Sequence, residues 1–461
     1  MMNANGLSWI SIVRLGLVQT ALGAIVVLTT STLNRVMVVE LALPAILPGA
    51  LVGFHYAVQI LRPRWGYGSD VGGNRTAWII GGMAVLCLGG ALAAVATAVM
   101  ASTIIGGTAL AALAFLMIGI GVGAAGTSLL ALLAGHAAPE RRAAAATIVW
   151  IMMILGFIIT AGLAGHFLDP FSTTRLVAVA STVSVLAFVV ALLAVVGVEQ
   201  RTKTVVQSAA LNAHAGTEVS NFRIAFQEVW AEPDARHFTI FVFVSMLAYS
   251  AQDLILEPFA GIAFGMTPGQ STQLAGLQNT GVLSGMLLVA LLASGIGGRW
   301  LGSLKMWTVL GCLASACALF SLSIAGMFAP HWPLKLSVIA LGFSNGVFAV
   351  AAIGSMMALA GRGREKRVGT RMGIWGAAQA IAFGSGGLVG AAGVDAVKLL
   401  TGTPVGAYMT VFAIEACIFF VAAWLALGVR EAGGSRSASE KPRFDPLSVG
   451  ASMLPAQEGK H

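Results

Sequence analysis

Asn34, Arg35 and Glu40 interrupt one apolar stretch of this 461-residue chain, and Asp253 and Glu257 interrupt another. Charged groups in such surroundings are costly unless paired or used, so each position asks for a partner or a function. Arg35 and Glu40 are five residues apart, about 140° around an α-helix, which makes a direct pair poor and sends each to a partner elsewhere. Gln252-Asp253 and Glu257-Pro258 loosely mirror Glu40 and Pro44 of the first stretch. Arg35 with Asp253 or Glu257 therefore offers a clamp between two parts of the chain, read either as a fixed salt bridge or as a contact for a substrate or polypeptide. His55 and Gln59 are one helical turn apart and face one way, and His166 stands close to Gly162 and Gly165. A neutral imidazole at either place can hydrogen-bond within the fold or act as a ligand. Cys87, Cys312, Cys317 and Cys417 lie in apolar stretches with no CxxC pair and no His at ligand spacing, which predicts buried thiols and no metal centre. GxSxG, HExxH and Walker A patterns are absent. Nothing in these residues argues for catalysis, and the expectation is that the chain is not an enzyme.

The elements that must position these side chains are membrane helices. With 57% hydrophobic residues, 10% charged residues and 57 glycines, the composition is far from the roughly 25% charged of soluble proteins. Runs of about 20 apolar residues are needed to cross the hydrocarbon as helix. Twelve candidates occur, roughly 15–40, 45–61, 76–100, 104–135, 143–166, 175–197, 237–262, 272–296, 304–328, 333–360, 368–393 and 405–428. Glu140-Arg141-Arg142 followed by Trp150 recurs as Glu365-Lys366-Arg367 followed by Trp375, a step of 225 for both landmarks (140 to 365, 150 to 375), and Gly121 and Gly346 keep it. The chain thus reads as an all-α integral membrane protein of two six-helix bundles copied in parallel, 1–197 and 237–430, with its cleft at the seam. Residues 198–236 form a polar linker with a surface helix expected around Phe222 to Trp230, and 431–461 a Ser- and charge-rich tail. Of 26 Lys and Arg, only Arg35, Arg175, Lys335 and Lys398 fall on the side of the odd-to-even loops, which puts both termini in the cytoplasm. That asymmetry and attraction to anionic membrane lipids account for the net charge of +8, so no nucleic-acid partner is needed. Gly119, Gly121, Gly123 and Gly126, with Gly384, Gly386, Gly387 and Gly390, predict close helix packing. Trp residues near span ends, among them Trp9, Trp65, Trp78, Trp150 and Trp375, predict an interfacial belt. Gln278, Asn279, Asn345, Gln379 and Glu415 are expected to satisfy one another across helix contacts.

Between the second and third spans stands Gly66-Tyr67-Gly68-Ser69-Asp70-Val71-Gly72-Gly73-Asn74-Arg75, which resembles the GxxxDxxGxR loop of the major facilitator superfamily. Gly66 and Gly73 permit tight turns, Asp70 can cap or pair at a helix end, and Arg75 marks the cytoplasmic face. Val71 replaces the usual basic residue, and the equivalent Gly295-Ile296-Gly297-Gly298-Arg299 has no Asp. The resemblance associates that charge network with switching between open states, so its erosion favours a role other than transport. Leu33-Asn34-Arg35-Val36-Met37-Val38-Val39-Glu40-Leu41-Ala42-Leu43-Pro44-Ala45, then His55-Tyr56-Ala57-Val58-Gln59 and Arg62-Pro63-Arg64-Trp65-Gly66, resemble the opening of the PucC/LhaA family. The resemblance runs from about Arg14 to Arg430.

What this resemblance implies is a major-facilitator-type fold and an assembly factor for light-harvesting antenna complexes. Its implied partners are antenna α and β polypeptides and enzymes of bacteriochlorophyll synthesis, its implied cofactor bacteriochlorophyll, and its implied place the bacterial inner, intracytoplasmic photosynthetic membrane. His55, with Gln59 steadying a ligand, and His166 are then the pigment-binding candidates. The alternative is a proton-coupled secondary transporter of an amphipathic small molecule or pigment, using Glu40, Asp253 or Glu257.

Overall fold

The computed structural model describes residues 7–62, 65, 74–137, 142–198, 230–292, 303–360 and 368–429. Twelve helices carry the described chain: α1 (Trp9–Glu40), α2 (Ile46–Leu61), α3 (Arg75–Met100), α4 (Ile104–His136), α5 (Arg142–Leu168), α6 (Thr173–Val195), α7 (Pro233–Phe264), α8 (Pro268–Leu291), α9 (Leu304–Ala325), α10 (Leu334–Ala360), α11 (Val368–Thr401) and α12 (Pro404–Gly428). Eleven are long and apolar enough to cross a membrane, and α2 is the shorter one. This is a multi-pass membrane protein, with no strand among the described residues.

α1 starts earlier than its hydropathy suggests, because Ser8 caps it by accepting the backbone N–H of Ser11 at 3.2 Å. It is not a uniform α-helix. Two π-helical turns, Leu28–Thr32 and Val36–Glu40, interrupt it. At the first, Thr29 and Thr30 each donate to the carbonyl of Val26 at 2.9 Å, a side-chain intrusion of the kind that bends helices. The second closes with Leu41 donating to the Val36 carbonyl at 3.0 Å, after which Ala42 takes a left-handed φ of 51° and Pro44 opens the way to α2.

The contacts repeat between halves as the 225-residue step predicts. α1 packs on α5 and α6 as α7 packs on α11 and α12, and α2 and α3 pack on α4 as α8 and α9 pack on α10. Two seams join the halves, α5 with α8 and α2 with α11, the arrangement of parallel repeats about an axis along the membrane normal. A clasp recurs as well: Arg14 of α1 donates to the Val196 carbonyl past the end of α6 at 2.5 Å, and His237 of α7 meets the Leu425 carbonyl of α12 at 2.7 Å. Basic groups suit such helix C-termini, where carbonyls lack internal partners.

Inside, the halves differ. The first core is aliphatic, built on Ile12, Leu15, Met83, Leu86 and Leu129 with Phe115. The second is aromatic, with Phe259 and Phe412 ring centroids 5.2 Å apart and Phe238 and Trp375 4.9 Å apart. Trp375 is 1% exposed while its repeat equivalent Trp150 is 43% exposed, so Trp375 is a core residue and not part of the expected belt. The glycine pair also diverges, since Gly121 lies against Leu86 of α3 but Gly346 against Val282 of α8. Gly386 and Gly390 sit against Ser250 and Ala251 of α7, as close packing requires. Cys87 and Cys312 are buried, but Cys317 and Cys417 are exposed on outward helix faces, which corrects the expectation of four buried thiols. The 199–229 part of the linker, the 430–461 tail and most of the repeated charged blocks lie outside the described residues.

Candidate functional site

The polar residues named from the sequence converge on the end of the seam that carries the α1–α2 and α7–α8 connections. Arg35 is 2% exposed, and its Nη1 donates to Glu40 Oε1 at 2.6 Å. The pair that regular α-helical geometry makes poor therefore forms. The π turn over Val36–Glu40 is the cause, since an i→i+5 ladder brings residues five apart onto one face. Arg35 also links the halves: its Nη2 donates to the Met266 carbonyl at 2.6 Å, with Gly261 leaving room for the guanidinium, and its charge acts on Glu257 of α7 without a contact ion pair. Neither Asp253 nor Glu257 is in an ion pair; Arg35–Glu40 is the ion pair among the described residues.

Further links cross the same end. Asn34 donates to the Leu254 carbonyl at 2.6 Å, Thr32 and Thr272 hydroxyls are 3.0 Å apart, and Thr267 donates to Asp169 Oδ2 at 2.9 Å. Asp395 of α11 accepts the backbone N–H groups of Ala45 and Ile46 at 3.1 and 2.7 Å, capping the start of α2 from the other half. A carboxylate there satisfies orphan donors and meets the positive end of the helix dipole. Asp395, Asp169, Thr267, Thr32 and Thr272 were missed by the sequence reading. Asp395, a lone acid in an apolar span, carried a usable signal, whereas the backbone partners carried none.

Deeper along the seam, Asp253 lies beside Gln278 of α8, and Glu257, 3% exposed, lies beside Ser271 with Oε2 unpartnered. Glu415 of α12 is 2% exposed with neither oxygen hydrogen-bonded, and both amide atoms of Gln252 are unpartnered at 0% exposure. The other amides do not satisfy one another as expected: buried Asn345 accepts from Ser315 at 2.8 Å, and half-buried Asn279 donates to the Ala275 carbonyl one turn back at 2.9 Å. Buried polar groups without a protein partner are costly unless water or a ligand serves them, which makes this cluster a candidate site.

The two imidazoles have opposite surroundings. His55 is 2% exposed, holds the Val52 carbonyl through Nδ1 at 2.6 Å and abuts Tyr56 and Phe115. That bond leaves Nε2 as the lone-pair nitrogen, but a tetrapyrrole at His55 requires Tyr56 and Phe115 to move aside. Gln59 accepts from Arg62 and leaves its own Nε2 unpartnered. His166 is exposed near the end of α5, and Gly162 one turn before it faces open space. Ile159, Leu163 and Phe167 flank it on the same outward surface, with the His166 and Phe167 rings edge to face at 5.4 Å between centroids. Gly66, Asp70 and Gly73 lie outside the described residues. Arg75 opens α3, where it donates to the Ala131 carbonyl of α4 at 2.7 Å.

Comparison with known proteins fits this architecture. Solved structures of a D-xylose–proton symporter (TM-score 0.68, 14% identity, 92% of this chain and 98% of that chain) and of a proton-dependent oligopeptide transporter (TM-score 0.62, 17% identity, 91% and 98%) share the major-facilitator-type fold. A protein of Rhodobacter capsulatus named "Bacteriochlorophyll synthase 44.5 kDa chain" is 54% identical over 93% of this chain and 97% of its own length. Protein PucC of Cereibacter sphaeroides is 30% identical over 89% and 90%. The first of these names is that of an enzyme's chain, and it overturns the expectation, drawn from missing catalytic motifs, that this chain is not an enzyme. The PUCC protein family profile matches residues 32–434, and the chain belongs to that family.

Proposed function

We propose that this protein is a membrane assembly factor of the photosynthetic apparatus, working beside the enzymes that make bacteriochlorophyll and bringing pigment and antenna α and β polypeptides together. The observation that carries this reading is kinship along nearly the whole chain with proteins named PucC and with one named as a bacteriochlorophyll synthase chain. Bound bacteriochlorophyll supplies light absorption through its magnesium macrocycle. His166, exposed beside Gly162, would be the side chain to hold that pigment through its imidazole. His55 takes the same role only in a rearranged first half. On this reading both termini face the cytoplasm of a phototroph's inner membrane, and the tied end of the seam faces away from it.

The test is the composition of the complex purified in mild detergent from a phototroph, together with a deletion strain. Antenna polypeptides and a bacteriochlorophyll band are expected in the complex, and the deletion strain is expected to lose one antenna type while keeping reaction centres. Normal antenna in that strain sinks the reading. A second reading, proton-coupled transport of an amphipathic molecule, is favoured by the buried acids Glu257 and Glu415 with their unpartnered oxygens. It predicts uptake driven by a proton gradient in vesicles and lost in Glu257→Gln, with antenna assembly untouched.

A further inference from the structure

Inside the second half, four polar side chains share one layer of an otherwise aromatic core. Phe259 of α7 and Phe412 of α12 meet above it, with ring centroids 5.2 Å apart. Below it, Phe348 of α10 meets Tyr249 of α7 at 6.1 Å and Phe419 of α12 at 5.5 Å. Gln252 follows Tyr249 by one turn, and Glu415 lies between Phe412 and Phe419. Since α10 and α12 run opposite to α7, one turn back from Phe348 reaches the same level, and that residue is Asn345. Ser315 of α9 joins it by donating to Asn345 Oδ1 at 2.8 Å. Gln252, Ser315 and Asn345 are 0% exposed and Glu415 is 2% exposed. Both amide atoms of Gln252, the Nδ2 of Asn345 and both oxygens of Glu415 nevertheless have no hydrogen-bond partner. Asp253, one residue on, turns to Gln278 of α8 and acts on Glu415 only through its charge. Among the described residues, Glu415 is therefore the one acid of the layer.

The donor set is one of hard oxygens around a single negative charge. Glu415 supplies two and Gln252 Oε1 a third, and Ser315 Oγ, whose proton is committed to Asn345, keeps its lone pairs as a fourth. A proton on Glu415 would serve one acceptor and leave the others, whereas one cation serves all four oxygens and neutralises the buried carboxylate. A divalent ion calls for more carboxylates than the layer holds. We propose that this layer binds one sodium-sized monovalent cation, with Glu415, Gln252 and Ser315 as ligands and Asn345 orienting the Ser315 hydroxyl. The amide N–H groups of Gln252 and Asn345 remain as donors to the carboxylate or to a water that completes the shell. The site ties α7, α9, α10 and α12 together inside one half, and it stands whether the chain assembles antenna or transports.

Melting of the full chain in detergent tests it, with sodium chloride compared against choline chloride at equal concentration. At ten times its dissociation constant, sodium is expected to raise the melting temperature by about 2–4 °C over choline, and the rise is expected to saturate. Glu415→Gln, which removes the charge at constant shape, is expected to abolish the sodium increment. Ser315→Ala is expected to shift its midpoint to about tenfold higher sodium, the effect of losing one ligand. Asp395→Asn, across the seam, is expected to melt lower in both salts and to keep the increment. An equal rise in sodium and choline, or a full increment in folded Glu415→Gln, overturns the proposal by leaving a general salt effect or a site elsewhere. If Glu415→Gln fails to fold, equilibrium binding of radiolabelled sodium decides. Saturable binding of one ion per chain that weakens about tenfold in Ser315→Ala supports the site, and absent binding, or binding equal in the two proteins, overturns it.

Discussion

Arg35 shows how a single side chain ties distant parts of the chain together. Its guanidinium divides between the Glu40 carboxylate and the Met266 carbonyl, two acceptors that only a fork of donors can serve together. Arg35→Ala leaves a carboxylate that is 34% exposed without its partner. The loss, discounted for that exposure, is about 1–3 kcal/mol. Arg35→Lys is expected to recover less than half of it. The check is the melting temperature in detergent. Combining Arg35→Ala with Glu40→Gln is expected to cost less than the sum of the single changes, whereas combining it with Asp253→Asn is expected to be additive. Asp395→Asn keeps one acceptor of two at the start of α2 and is expected to lower stability by about 1–2 kcal/mol. Neither partnership was legible beforehand, for different reasons. The Arg35 pair was hidden because periodicity arguments assume regular α-helix, and the Asp395 cap because its partners are backbone groups that every residue has.

At the scale of the element, α1 matters more than its hydropathy suggests, since both π turns lie in the half that faces the seam. A π turn amounts to one residue inserted into an α-helix. Removing Val39 is therefore expected to restore regular α-helix and to keep Arg35 and the acid now four residues away as a pair. Inserting one alanine after Val38 is expected to separate them. The comparison is read as melting temperature, with the deletion within about 1–2 kcal/mol of the parent and the insertion well below it. Element existence was the most legible feature of the chain, because apolar runs of spanning length have one stable conformation in lipid. The start of α1 at Trp9 was less so, since the Ser8 cap adds a turn and a half that carries Arg14.

For the whole molecule, the repeated charged blocks announced two halves, and the mirrored helix contacts agree with them. What the repeat does not convey is that equivalent positions have drifted in use, as Trp150 and Trp375 illustrate. Trp375→Ala removes a ring wedged against Phe238 and is expected to cost about 3–5 kcal/mol, whereas Trp150→Ala, on an outward face, is expected to cost under about 1 kcal/mol. Both are measured as midpoints of unfolding. The aliphatic and aromatic cores also give the protein an uneven optical signature. Phe115 is the one aromatic ring of the first half among the largest fully buried side chains, against Phe238, Phe241, Phe259, Phe348, Trp375, Tyr408, Phe412 and Phe419 in the second. Near-ultraviolet circular dichroism, which reads rings held in fixed packing, is thus weighted towards α7–α12. A variant that loosens α1–α6 is expected to change that spectrum less than one that loosens α7–α12.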